Sequence, residues 1–244
     1  MKIKNKISTF LITFLFLASF DLYSHPTLDN LWDYDTKLKT HIAPTPWSQW
    51  HQDLRPGDVI MVPLNCWVCR LIEAEIGRPF SHSALVLGVS DQGEVFLAEA
   101  LGEVRVIELS RWAKFLRGDA PWVVVRPEFK NFYQELSDEN LSQYFFNVFY
   151  QKFKDLSFDP TYTWDSFDQA GNRTLYCSEF IYHFLSPYLL FPLELGVASY
   201  QRHIDLWLQY FGGEIPDLGP GVNPGAFFDA SGFEVVKWQK AQTK

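Results

Sequence analysis

Two apolar segments joined by a short polar loop constrain the fold of this chain most strongly. Residues 82–89 and 94–100 are mostly apolar, and the loop Ser90-Asp91-Gln92-Gly93 separates them. A loop of this length that ends in glycine is typical of a β-hairpin. We therefore predict two antiparallel strands that pair with each other, which commits this part of the chain to a sheet.

The other predicted elements extend the hairpin into an α+β fold. The predicted strands are 59–62, 104–107 and 122–126, and the predicted short helices are 70–76, closed by Gly77, and a segment capped by Ser110 that ends at Gly118. Strands come first along the chain and few strand–helix–strand units are present. This order favours an antiparallel sheet packed against helices.

Two longer helices are predicted in the second half of the chain. The first is capped by Ser137-Asp138-Glu139, and its apolar residues recur at spacings of three and four. Its predicted core face consists of Leu141, Tyr144, Phe145, Val148, Phe149 and Phe153. The second helix carries Cys177 near its start, and Thr174 is the predicted N-cap.

Composition indicates a globular chain without a nucleic-acid partner. Hydrophobic residues make up 47% of the 244 residues, which is enough for a sizeable core. The net charge of −8 argues against binding to nucleic acid. No Gly-rich phosphate loop stands out, and we expect neither a cofactor nor a metal. The aromatic share of 17% is consistent with a ring-packed core or with an apolar groove for an acyl chain.

The N-terminus predicts an exported protein. Lys2, Lys4 and Lys6 precede an apolar run over residues 7–20, which is shorter than the roughly 20 residues of a membrane span. We predict a cleaved signal peptide over residues 1–24, with an uncleaved anchor as the alternative. The destination is then an oxidising compartment such as a bacterial periplasm.

Three further parts complete the predicted organisation. Residues 25–54 are expected to form an N-terminal extension, and residues 55–186 the catalytic domain. Residues 187–244 contain several prolines and glycines, and we expect them to be a C-terminal extension packed on the same domain.

Cys177, His82 and Glu99 are the candidate catalytic residues. If the hairpin loop closes symmetrically over four residues, Ala84 lies opposite Glu99. His82 is two residues from Ala84 and therefore on the same face of the sheet, as a diagonal neighbour of Glu99. A three-residue loop would shift the register and place the two side chains on opposite faces.

These residue types suit nucleophilic catalysis by a thiol. His82 would withdraw the thiol proton of Cys177, and Glu99 would hold the imidazole in the required orientation. A thiol in the first turn of a helix also experiences the positive end of the helix dipole, which favours the thiolate. Tyr176 is an auxiliary candidate, either as a donor near the reaction centre or as a packing residue.

Several short segments in a fixed order carry a resemblance to a known family. They are Gly57-Asp58-Val59-Ile60, Ser81-His82-Ser83, Leu97-Ala98-Glu99-Ala100, Phe158-Asp159 with Tyr162 and Trp164, and Tyr176-Cys177-Ser178-Glu179. Over about residues 55–186 this set resembles the circularly permuted papain-fold cysteine hydrolases of the YiiX/YebB type, relatives of the NlpC peptidases.

The resemblance implies a permuted papain-like, NlpC-type fold and hydrolysis through an acyl-enzyme. Cys177 would be the nucleophile, His82 the base and Glu99 the orienting residue. The expected substrate is an amide, and the compartment suggests a peptide of the cell wall, so peptidoglycan is a candidate partner. The group is also similar to lecithin:retinol acyltransferases, which leaves a small-molecule ester or a lipid acyl group open as a substrate.

Cys66 and Cys69 form a second cysteine feature. They flank Trp67-Val68 after a strand and before a helix. A local disulfide is the plainest interpretation in an exported protein. The alternatives are a thiol–disulfide oxidoreductase and a zinc site shared with His82 and Cys177. Outside enzymology, the alternative is a non-catalytic binding module of the cell envelope.

Overall fold

A computed structural model describes residue 49 and residues 51–116, 120–197, 199–216 and 219–239. The predicted signal peptide, residues 1–24, and most of the extension 25–54 lie outside these residues. Within the described ranges, no helix has the length and the apolar character needed to cross a membrane.

Ten strands lie in the described residues, and eight of them form one sheet on which the fold is built. The ten strands are β1 (Val59–Val62), β2 (His82–Val89), β3 (Val95–Leu101), β4 (Glu103–Glu108), β5 (Trp122–Pro127), β6 (Ser157–Phe158), β7 (Thr174–Leu175), β8 (Gly196–Val197), β9 (Pro220–Gly221) and β10 (Phe233–Gln239). The sheet order is β10-β5-β1-β2-β3-β4-β6-β7, and β8 pairs with β9 separately. All neighbours are antiparallel except β6 and β7, as the predicted α+β class requires.

Seven α-helices accompany the sheet in the described residues. They are α1 (Trp67–Ile76), α2 (Leu109–Trp112), α3 (Asn131–Gln134), α4 (Asp138–Lys152), α5 (Cys177–Leu185), α6 (Ile204–Tyr210) and α7 (Ala226–Asp229). The apolar stripes of α4 and α5 pack on one face of the sheet, where Phe145 and Phe180 meet Leu85 and Leu87. The other face is covered by a second cluster that includes Trp112 and Trp122.

The hairpin reaches the predicted register by a different route. Ser90 N donates to Glu94 O at 2.8 Å, so the loop between them contains three residues. With that loop alone, the side chains of His82 and Glu99 would lie on opposite faces of the sheet. A bulge between Val86 and Gly88 shifts the register back, and Leu85 lies opposite Ala98 as the four-residue loop would place it.

Two predicted helix caps are wrong, and one is confirmed. Ser110 lies inside α2, because β4 continues to Glu108 and the helix begins directly after it. Thr174 belongs to β7, whose pairing with β6 keeps the backbone extended until the true N-cap, Tyr176. Ser137 does cap α4, with its Oγ accepting from Asn140 N at 3.3 Å.

The C-terminal segment is part of the sheet. β10 pairs antiparallel with β5 along its whole length, with one bulge between Val235 and Lys237. Trp122 Nε1 donates to Gln239 Oε1 at 2.9 Å across this pair. Residues 187–244 were expected only to pack on the domain, but residues 233–239 extend its sheet.

Gly88 is required where α4 crosses the bulged strand. A Cβ at this position would lie 2.6 Å from Ser142 Oγ and 2.7 Å from Ser142 Cβ. We predict that Gly88→Ala lowers the free energy of unfolding by about 1–3 kcal/mol. In a double-mutant cycle measured by urea denaturation, Gly88→Ala with Ser142→Gly should cost less than the sum of the single changes. Additive costs would show that the close approach does not matter.

Candidate active site

Cys177 is the first residue of α5, and the helix is anchored so that the thiol has a fixed position. Phe180, Ile181 and Phe184 of α5 are each at most 1% exposed. The N-cap residue Tyr176 is extended and makes no side-chain hydrogen bond to the first turn. The sulfur therefore sits at the positive end of a helix whose opposite side is buried in the core.

His82 and Glu99 lie side by side at the end of the hairpin, as their register requires. His82 Nε2 and Glu99 Oε2 are 2.6 Å apart, and both side chains are buried. The thiol of Cys177 lies close enough to His82 for the two groups to shift each other's pKa. Since Nε2 is engaged by Glu99, Nδ1 is the ring nitrogen left for the thiol. The structure thus brings all three predicted residues together.

Two residues that the sequence did not single out complete the environment of Glu99. Trp112 Nε1 donates to Glu99 Oε2 at 2.8 Å. Arg105 donates to Glu99 Oε1 through Nε at 2.9 Å and through Nη2 at 2.7 Å. Arg105 lies directly opposite Glu99 in the β3–β4 pair, so a register argument for these strands would have found it. Both carboxylate oxygens are saturated with donors.

The resulting electrostatics favour an ion pair between thiolate and imidazolium. Burial alone would raise the pKa of Glu99, but hydrogen bonds and charge from His82, with Arg105 and Trp112, bring this pKa below its usual value. Burial alone would lower the pKa of His82, but its bonds to Cys177 and Glu99 raise the pKa to about 10. These partners therefore keep the imidazole protonated at neutral pH.

The pKa of the Cys177 thiol shifts in the opposite direction to the pKa of His82. Burial by itself raises the pKa of Cys177. The hydrogen bond and the positive charge of His82, together with the backbone N–H of Ser83, outweigh burial, and the pKa of the thiol falls below its ordinary value. A thiolate with a protonated partner is the form of cysteine that attacks carbonyl groups.

A cavity of about 440 Å³ opens onto Cys177. Cys177 lines this cavity although the residue is only 6% exposed, so the thiol is both shielded and reachable. The other walls come from α1, from the loop before β7 and from residues 196–197, 199–202, 207 and 221–224. Its aromatic lining consists of Tyr162, Tyr176, Tyr200 and Trp207, and its polar lining includes Glu75, Gln201, Arg202 and Asn223.

The C-terminal wall is held directly by the two residues that flank the nucleophile. Val222 N donates to the hydroxyl oxygen of Tyr176 at 3.2 Å. Ser178 Oγ donates to Val222 O at 2.6 Å. Tyr176 therefore holds the cavity wall in place through its hydroxyl oxygen.

Tyr162 enters the cavity from a loop with a strained backbone. Its φ is +53°, which is unusual for an aromatic residue. The buried carboxylate of Asp159 accepts from Thr161 N and from Thr163 N, both at 2.8 Å, and so fixes the backbone on each side of Tyr162. Tyr200 adds a hydrogen bond from its hydroxyl to Tyr162 O at 3.2 Å. The Phe158-Asp159 motif thus acts by shaping this loop.

Cys66 and Cys69 are joined by a disulfide at the start of α1. Cys66 is the N-cap, and its Sγ accepts from Cys69 N at 3.1 Å, so the helix starts three residues before the predicted Arg70. The zinc set of Cys66, Cys69, His82 and Cys177 is not formed, because the first two thiols bond to each other and His82 is held by Glu99.

Comparison with known proteins identifies the fold. Neither a protein-family model nor a curated protein matches the sequence. Among solved structures, the metalloprotein YiiX from Escherichia coli O157:H7 matches 76% of this chain and 98% of its own, with a TM-score of 0.60 and 21% sequence identity. The chain therefore has a YiiX-like fold.

The first prediction for the site concerns the pH dependence of thiol alkylation. Iodoacetamide should modify Cys177 at a rate that stays high well below the pKa of an ordinary thiol and falls only as the thiolate becomes protonated. In His82→Ala the imidazolium is lost while burial remains, so the midpoint should move to higher pH. The rate at pH 7 should fall at least about tenfold, because each unit of pKa removes a factor of ten in thiolate.

Peptide mass spectrometry of the alkylated protein identifies the modified cysteine. Arg70→Gln, on the exposed side of α1, serves as a matched control that should leave the pH profile unchanged. An unshifted profile in His82→Ala would show that His82 does not activate the thiol.

Proposed function

We propose that this protein is a cysteine hydrolase of the permuted papain-like, NlpC-related type. The observation that carries the proposal is the assembly of Cys177, His82 and Glu99, with Cys177 at a helix start and in the wall of the cavity. The thiolate of Cys177 attacks a carbonyl carbon, and the His82 imidazolium gives its proton to the leaving group. Water, deprotonated by His82, then releases the acid from the acyl-enzyme.

The start of α5 supplies electrostatic stabilisation in this mechanism. The negative oxygen of the tetrahedral intermediate develops next to the carbon that Cys177 attacks. The side chain of Tyr176 leaves the backbone N–H groups of the first turn of α5 uncapped, and such groups stabilise an oxyanion. Glu99 stays ionised throughout and stabilises the imidazolium.

The lining of the cavity favours an amide substrate with a peptide-like acyl group. Its volume of about 440 Å³ falls within the range of about 300–1,000 Å³ that is usual for small-ligand sites. Gln201, Arg202 and Asn223 place polar groups among the aromatic rings, which suits a peptide backbone better than a hydrocarbon chain. Hydrolysis of an ester or a lipid acyl group by the same three residues is the alternative.

Export to an oxidising compartment belongs to the same proposal. The disulfide between Cys66 and Cys69 is the form that such a compartment maintains. Together with the N-terminal sequence pattern, it supports a periplasmic location, where cell-wall peptides are the amides within reach.

The description of YiiX as a metalloprotein raises a catalytic metal beside Cys177 as an alternative for this chain. The cavity around Cys177 fits such a metal poorly. The carboxylate of Glu75 already accepts from Arg202 N, His203 N and Trp207 Nε1. Nε2 of His82 is held by Glu99. The proposed hydrolysis accordingly proceeds through the thiolate.

The second prediction tests the acyl-enzyme. Incubation with p-nitrophenyl acetate should give a burst of nitrophenol and an acetyl group on Cys177, detected by intact-protein mass spectrometry. Cys177→Ala should show neither. Glu99→Gln keeps the size of the side chain but removes its charge, and it should lower the acylation rate at least about tenfold. A digest of peptidoglycan provides the amide substrate, with new carboxyl termini as the readout.

Each outcome of this experiment is informative. Cleavage of p-nitrophenyl esters with long acyl chains, without cleavage of the peptides, would favour the lipid alternative. Equal activity in Cys177→Ala and the unchanged protein would exclude the hydrolase. If Cys177→Ala also retains the binding of peptidoglycan fragments, the binding module becomes the better description.

The thiol–disulfide oxidoreductase stays a second candidate because of one observation. Cys66 is exposed and Cys69 is buried at the N-terminal end of α1, an asymmetry that suits attack on an outside disulfide. The hydrolase proposal predicts no catalysed reduction of insulin above the rate with dithiothreitol alone. Catalysis that is lost in Cys66→Ser and kept in Cys177→Ala would instead support the oxidoreductase.

A further inference from the structure

A second cluster of chemically reactive side chains lies beside the nucleophile helix but does not include Cys177. Glu179 and His183 are four residues apart on α5 and so project from one side of the helix. Asp165 approaches them from the loop before β7. One ligand atom from each of these residues lies within 4.8 Å of the others.

Two atoms of this cluster are buried without a hydrogen bond. Glu179 is fully buried, and its Oε2 makes no hydrogen bond. Nε2 of His183 is likewise buried and makes no hydrogen bond. An unsatisfied buried polar atom costs about 1–3 kcal/mol, and more when it is charged. A carboxylate oxygen and an imidazole nitrogen in this condition, on two residues that face each other along α5, favour a cation at this cluster.

The spacing of the ligand atoms fits one metal ion. Nε2 of His183 lies 3.6 Å from Glu179 Oε1 and 3.8 Å from Asp165 Oδ1. Two ligand atoms that are each about 2.1 Å from a tetrahedral metal lie about 3.4 Å apart. Small side-chain movements would bring the observed separations of 3.6 Å and 3.8 Å to this value. One imidazole with two carboxylates suits Zn²⁺ and related first-row ions, whereas Ca²⁺ and Mg²⁺ prefer oxygen ligands alone.

One basic side chain competes for this cluster. Arg173 forms an ion pair with Asp165 Oδ1, and both side chains are partly exposed. Because the guanidinium is accessible to water, it can move away when a divalent ion takes its place. Its removal should therefore strengthen metal binding.

We propose that Asp165, Glu179 and His183 bind one Zn²⁺ ion that fastens the loop before β7 to α5. Asp165 N already donates to Glu179 Oε1 at 2.9 Å, so the loop and the helix meet at this point in any case. The same loop carries Tyr162 into the cavity. The ion is structural: it holds a wall of the cavity, and Cys177 is not among its ligands. This proposal departs from the absence of metal that the sequence suggested, and it does not depend on the proposed hydrolase activity.

The experiment measures Zn²⁺ binding in the Cys177→Ala background, because a free thiolate is itself a zinc ligand. The protein is treated with EDTA, returned to buffer and titrated with Zn²⁺ against a chromophoric chelator. We expect one equivalent to bind and the thermal unfolding midpoint to rise. Mg²⁺ and Ca²⁺ at the same concentration should compete weakly.

Substitutions at the cluster provide the decisive comparison. His183→Gln and Glu179→Gln should each weaken Zn²⁺ binding by more than about tenfold, since the loss of even an outer-shell partner has an effect of this size. Arg173→Gln should tighten binding. His51→Gln, an exposed histidine elsewhere, is the matched control and should change nothing.

Two results would overturn the proposal. One is the absence of stoichiometric binding by the Cys177→Ala protein. The other is equal affinity in His183→Gln and the control, with circular dichroism showing that both are folded. Alkylation of Cys177 in the unsubstituted protein is a separate readout, so the metal site and the hydrolase can fail independently.

Discussion

The carboxylate of Glu99 is the interaction on which the site depends. It is fully buried, which would be costly for an isolated charge, and it receives hydrogen bonds from His82, Trp112 and Arg105. With both oxygens saturated, the negative charge is fixed in place. This charge raises the pKa of the imidazole, and the imidazolium in turn lowers the pKa of the thiol. Removing any one donor should therefore reduce both the upward shift of the His82 pKa and the downward shift of the Cys177 pKa.

The fold meets this requirement by joining parts that are distant in sequence. The hairpin places His82 beside Glu99, and the bulge before Gly88 corrects the register that its short loop would otherwise impose. Packing of α5 on the sheet delivers Cys177 to the same point. The loop around Asp159 presents Tyr162, and the proposed Zn²⁺ ion would hold this loop from its far side. Rigid neighbours on every side suit a reaction that needs fixed distances.

Local patterns predicted much of this arrangement, and long-range contacts account for the rest. The bounds of β1 and β2 and the cap of α4 by Ser137 follow from periodicity and capping, whereas the shared face of His82 and Glu99 depends on a bulge that the local pattern does not indicate. Thr174 was a reasonable cap by residue type, but strand pairing with β6 overrode that preference. Nothing local in the C-terminal segment indicates that Val222 would bond to Tyr176 and Ser178, because those contacts join residues more than forty positions apart.

The attachment of Val222 to both neighbours of Cys177 has a consequence for biosynthesis. During translation the thiol-bearing helix emerges well before residues 219–239, which complete the enclosure and the outer edge of the sheet. Until residues 219–239 have been synthesised, the nascent chain presents the sulfur of Cys177 without the wall that Val222 forms. Formation of the cavity is therefore coupled to synthesis of this segment, and a product truncated before it would carry an unguarded thiol.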